Sequence, residues 1–176
     1  MARKPLPFDP VEEASRHWVD RWGDSAVPAM EAVTSIMRAQ QWLLGELNTH
    51  LGPFGLTFAR YEALLLLLFS SKGELPLAKF GERLQVHPTS VTNVIDRLER
   101  DGLVERVPHA TDRRAMLARL TPEGRAVVEK ATAGLNESAF GLSDMSEGEL
   151  RQLVKVIRKM RLHAGDFSLD RRRSAD

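Results

Sequence analysis

The chain has 176 residues, 43% of them hydrophobic and 28% charged, and its 25 Lys and Arg nearly cancel 24 Asp and Glu to leave a net charge of +1. This is the composition of an ordinary soluble globular protein, long enough for one domain or one domain with an association module. The absence of cysteine excludes disulfides, thiolate metal sites and cysteine nucleophiles, and points to a reducing compartment.

The longest apolar run, Ala63 to Phe69, is far below the roughly 20 residues that span a bilayer, and the start MARKPLPFDP has no apolar signal region. The expected location is cytoplasmic. A charge near zero does not announce nucleic acid, so any such function must come from where the charges sit.

Residues 1 to 8 read as a loose leader. Asp9-Pro10 with Glu12 and Glu13 then starts a helix: Asp as N-cap, Pro at the first position, and carboxylates at the positive end of the dipole. The helix runs to about Trp22. Trp18 and Trp22 lie on its apolar stripe, either as packing anchors or as the wall of a ligand pocket. Pro28 opens a longer helix to about Leu51, apolar on more than one face, as a helix in a dimer core would be.

Gly52 to Gly55 breaks the chain and Thr57 caps a third helix, in which the run after Glu62 is read as buried helix on length and helix formers such as Arg60 and Ala63. Glu62 sits at the edge of that core, half-exposed and paired or recruited to a pocket. Lys72-Gly73 is a turn. Leu77, Phe80 and Leu84 mark a short helix, Gln85 to His87 a turn, and Pro88 the first position of the next helix.

In that helix Val91, Val94, Ile95 and Leu98 form one apolar face, which leaves Thr89, Ser90, Thr92, Asn93, Asp96 and Arg97 pointing elsewhere. Short hydroxyl and amide side chains at a helix N-terminus suit phosphates and base edges in a DNA groove; they are equally the side chains of caps and solvated surface. Gly102 stops the helix, Leu103 to Val107 alternates as a strand, and Pro108 to Thr111 forms a loop. From Arg106 to Arg119 four arginines, Arg106, Arg113, Arg114 and Arg119, face one acid, Asp112, a subset charge of +3 with His109 neutral. A positive hairpin tip beside a polar helix fits a minor groove next to an occupied major groove.

Thr121-Pro122-Glu123 begins a further helix to about Phe140. Ser146 with Glu149 forms a capping box before Leu150, Leu153, Val154, Ile157 and Met160. The tail with Arg171 to Arg173 reads as solvated and mobile. The five histidines have no metal-ligand spacing, and no phosphate loop or serine-nucleophile motif occurs, so neither a metal, a cofactor nor an enzyme is expected.

SVTNVIDRLERDGLVER (Ser90 to Arg106) followed by TDRRAMLARLTPEGR (Thr111 to Arg125) resembles the MarR family of transcriptional regulators: recognition helix, Gly stop, strand, D-x-R wing and re-entry into helix. The extra N-terminal helix with MRAQQWLLGELN and GLTFARYEALLLL is similar to the urate-responsive and TamR-like branch. The resemblance implies a mainly α fold with a small β-hairpin wing. Residues 1–56 and 121–165 would supply dimerisation helices, 57–120 the winged helix-turn-helix and 166–176 a tail.

It further implies a homodimeric repressor on a pseudo-palindromic operator, with Thr89, Ser90, Thr92, Asn93 and Arg97 on DNA, Arg113 and Arg114 in the wing, and Asp112 orienting an arginine. Trp18, Trp22, Glu62 and Arg106 match the effector site of that branch, with Glu62 where an aspartate is expected. The effector implied is a small anion, urate-like or a tricarboxylate. A metal- or pH-sensing regulator of the same fold and a sequence-independent architectural DNA binder are the alternatives.

Overall fold

A computed structural model describes residues 5–84, 87–112 and 115–169. The chain divides into two compact units, residues 1–46 and 47–176. The first holds α1 (Pro10–Trp22) and most of α2 (Val27–Leu51). Asp9 caps α1 as its charge and the following proline predict, its carboxylate accepting the amide of Val11 at 2.8 Å. The buried hydroxyl of Ser15 donates to Glu31 Oε1 at 2.6 Å and ties the two helices together. Val33, Met37 and Trp42 on α2 are exposed in the single chain.

In the second unit α3 (Phe58–Leu68) is the central helix, with Tyr61, Ala63, Leu64 and Leu67 all buried. Thr57 caps it by accepting the amide of Arg60. The apolar run is therefore helix, as its length and composition predict, but its last member lies beyond the helix: Phe69 is 76% exposed. Around α3 pack α4 (Leu77–Leu84), α5 (Pro88–Arg100) and α6 (Pro122–Glu137), through Phe80, Ile95, Leu98, Val128 and Leu135, all fully buried. The Tyr61 hydroxyl reaches Thr132 Oγ1 at 3.0 Å, which satisfies a polar group inside this core.

The sheet has three antiparallel strands in the order β1 (Glu74–Pro76), β3 (Met116–Leu120), β2 (Val104–Pro108). Sequence reading finds the hairpin of β2 and β3 and misses β1, which is three residues long and ends in proline, too short for alternation to register. Pro108, read as loop, closes β2. Both prolines lie on edge strands, where a missing N–H breaks no ladder.

Two further differences concern the C-terminal helices. α6 ends at Glu137 rather than near Phe140, because Ala139, Phe140 and Gly141 all adopt positive φ and turn the chain away. α7 (Glu147–His163) begins with the expected capping box, Ser146 and Glu149 exchanging hydrogen bonds, which lowers the Glu149 pKa through the Ser146 hydroxyl first. Its apolar stripe is left open in the single chain: Leu153, Val154 and Met160 are exposed. No single helix among the described residues is long and apolar enough to cross a membrane.

Candidate nucleic-acid interface

α4 and α5 form the helix-turn-helix, with the connecting residues 85 and 86 outside the described residues. Val91, Ile95 and Leu98 are buried, so a helical period of 3.6 turns Thr89, Ser90, Thr92, Asn93 and Arg97 to solvent; all five are exposed. The N-cap of α5 is His87, whose Nδ1 accepts the amide of Thr89 at 3.3 Å. Histidine is outside the usual Ser, Thr, Asp and Asn set, so sequence reading assigns the residue only to the turn.

Arg106 leaves β2 and reaches back to α5, where its guanidinium pairs with both Asp96 and Glu99, three residues apart and therefore on one helical face. Its amide also donates to Glu99 Oε1 at 3.2 Å. Hydrogen bonding to Asp96 first, then to Glu99, raises the Arg106 pKa against the opposing effect of burial. A second arginine locks the sheet: Arg119 faces Glu74 and Glu105 across β3 in direct register and binds them at 3.0 and 3.3 Å.

These pairs change the meaning of a nearly neutral charge count. Glu74, Glu82, Asp96, Glu99, Asp101 and Glu105 each pair with Arg119, Lys79, Arg106 or Arg60. Lys72, Arg83, Arg97 and Arg100 have no ion-pair partner among the described residues. The helix-turn-helix thus presents unneutralised cations although its formal charge is small.

The wing loop folds on His109. Its Nδ1 accepts the amides of Thr111 at 3.3 Å and Asp112 at 3.1 Å, and its own amide donates to the carbonyl of Ala115 at 3.1 Å. His109 thus holds the turn that carries Asp112. Arg113 and Arg114, the wing arginines, lie outside the described residues.

The wing is fastened to α6 by Thr121. This N-cap accepts the amide of Gly124 at 2.9 Å while its hydroxyl donates to the carbonyl of Gly102 at 2.8 Å. Gly124 is pressed so closely to β2 that a Cβ there would lie 2.0 Å from the Leu103 carbonyl oxygen.

The expected effector residues fall in both units. Trp18 and Trp22 pair on α1 with ring centroids 4.7 Å apart, and Arg21 lies 5.6 Å above Trp22, which is 64% exposed. Glu62 is half-buried on α3 without an ion-pair partner among the described residues, and desolvation raises its pKa. Arg106 is already neutralised by two carboxylates. Among the described residues no three His, Asp or Glu side chains group as a metal site.

Two helices, a recognition face and a β-hairpin in this order define a winged helix-turn-helix protein. The MarR family profile matches residues 59–116. Sco5413, a MarR family transcriptional regulator from Streptomyces coelicolor, is 54% identical, with 81% of this chain and 99% of that chain covered and a TM-score of 0.76. The regulator PrsX of Escherichia coli is 27% identical over 91% of this chain and 97% of its own. Sco3205 of Streptomyces coelicolor, solved in complex with DNA, shares the fold at 20% identity, with a TM-score of 0.69 over 76% of this chain and 88% of that chain. The chain belongs to the MarR family of DNA-binding transcriptional regulators, and is not an enzyme.

Proposed function

We propose that the chain is a sequence-specific repressor that binds a pseudo-palindromic operator as a homodimer and releases it on binding a small anionic metabolite, as the urate-responsive and TamR-like regulators do. The observation that carries the DNA contacts is the face of α5. Thr89, Ser90, Thr92, Asn93 and Arg97 are exposed together, beside cations that no acid neutralises among the described residues. Thr89, Ser90 and Asn93 reach base edges and phosphates in the major groove, Arg97 a flanking phosphate, and Arg113 and Arg114 the minor groove, with Asp112 orienting one of them.

The exposed apolar residues of α2 and α7 support the homodimer, since residues such as Val33, Met37, Val154 and Met160 are the kind an isologous interface covers. Residues 1–56 and 121–165 belong to that interface in this reading, and the cytoplasm is where the protein acts.

Trp18, Trp22, Glu62 and Arg106 are the effector candidates. An anion captured by Arg106 must displace Asp96 or Glu99, which would detach β2 from α5 and disturb the reading head. The switch is a population shift: the ligand binds the detached state better, so DNA and ligand weaken each other equally. Selection of bound DNA from a random pool, repeated with urate, citrate and aconitate, tests the whole reading. It predicts a two-fold symmetric site and loss of binding with at least one anion. Enrichment of no sequence would favour an architectural binder.

A further inference from the structure

A second group of cations surrounds a cleft of about 470 Å³ beside the edge strand β1. Its walls are the turn after α3, β1, α4 and the loop end of the β2–β3 hairpin. Its floor is apolar where Leu117 is buried, apart from the main core because it alternates with the core residue Ala118, with Pro76 opposite it in the β1–β3 register and the exposed ring of Phe69 on one side.

The rim is cationic. Lys72, Lys79 and Arg83 line it, and Glu74, the one acid among the lining residues, is bound to Arg119 at 3.0 Å. Lys79 shares its charge with the exposed Glu82 at 3.7 Å. Lys72 and Arg83 remain, one charge each, without partners among the described residues. His109 completes the lining. Because its Nδ1 accepts two wing amides, the ring N–H lies on Nε2, which has no hydrogen-bond partner among the described residues.

We propose that this cleft binds a compact dianion on a small apolar body, an aryl phosphate or an aromatic dicarboxylate. Two uncompensated cations match two negative charges, guanidinium and ammonium both suit oxyanions, and the floor takes an apolar body that a free inorganic ion lacks. The site is separate from Arg106. An anion on His109 would act on the ring that holds the wing turn, and this regulatory consequence rests on the DNA-binding reading above. A backbone phosphate of DNA offers the same oxygens without the apolar body.

The test uses the ¹⁵N-labelled full chain, titrated with phenyl phosphate and with phthalate, with benzamide as the uncharged control. Saturable shifts are expected at the amides of Lys72, Lys79, His109 and Thr111, with affinity weakened about tenfold or more in the Lys72→Ala/Arg83→Ala double variant. Benzamide should shift none of them. Thermal melts of the variants confirm that they fold, since both rim residues are exposed.

No saturable shift with either dianion, or equal affinity in the double variant, overturns the site. A wild-type chain that takes up neither dianion, with a double variant whose salt slope for DNA falls by about two, assigns the cations to the DNA backbone and also overturns it. An anion bound in the cleft without effect on DNA affinity upholds the site and removes only its tie to DNA release.

Discussion

Arg106 in β2 holds Asp96 in α5, so the strand that leads to the wing and the helix that faces DNA are joined by charge as well as by the core beneath them. Arg106→Gln should therefore loosen the reading head more than the fold. The carboxylates are about half exposed and screened by solvent, which limits the loss of stability to about 1 kcal/mol by chemical denaturation. DNA affinity should fall by a larger factor, and the stability difference should shrink in high salt. A variant that binds DNA as the wild type does would show that the core alone orients α5.

Asn93→Ala and Arg97→Ala separate base reading from backbone contact. Loss of the Asn93 amide should reorder preference among operator variants by about 1 to 3 kcal/mol per contacted base. Loss of Arg97 should weaken all sequences alike and reduce the salt slope by about one. Competition binding against a panel of duplexes reads both, and equal loss on every sequence for Asn93→Ala would make it a backbone contact.

Glu62 offers a pH prediction with a definite sign. Burial raises its pKa in the folded state, so the native chain holds the proton more tightly than the unfolded one. Stability then falls as pH rises from the ordinary glutamate range through the raised value. Glu62→Gln should raise the melting temperature at pH 7 and leave it unchanged at pH 3. If Gln destabilises at pH 7, the carboxylate has a stabilising partner that outweighs its desolvation.

At Gly124 the prediction is steric. A methyl group there would meet the Leu103 carbonyl oxygen at 2.0 Å, a backbone atom that cannot swing aside as a side chain would, so α6 must move away from the segment that leads into β2. Gly124→Ala should cost about 3 kcal/mol, at the upper end of overpacking, visible as a fall of several degrees in the melting temperature. Thr121→Ala, which loses the cap and the bond to Gly102 without a clash, should cost about 1 kcal/mol.

Local chemistry determined much of this protein by itself. Asp9, Thr57, Thr121 and Ser146 each start a helix because a side-chain oxygen satisfies an amide a few residues away, a demand visible in any short window of sequence. The exposed face of α5 followed in the same way from the period of Val91, Ile95 and Leu98. The tertiary structure decided what distance along the chain conceals: β1 is a strand because β3 lies beside it, and Arg106 became a clamp because Asp96 and Glu99 lie opposite. Most of all it sorted the charges. A count near neutrality treats every acid and base alike, whereas folding pairs the acids Glu74, Glu82, Asp96, Glu99, Asp101 and Glu105 around the helix-turn-helix and leaves Lys72, Arg83, Arg97 and Arg100 without ion-pair partners among the described residues, because a salt bridge depends on separation in space.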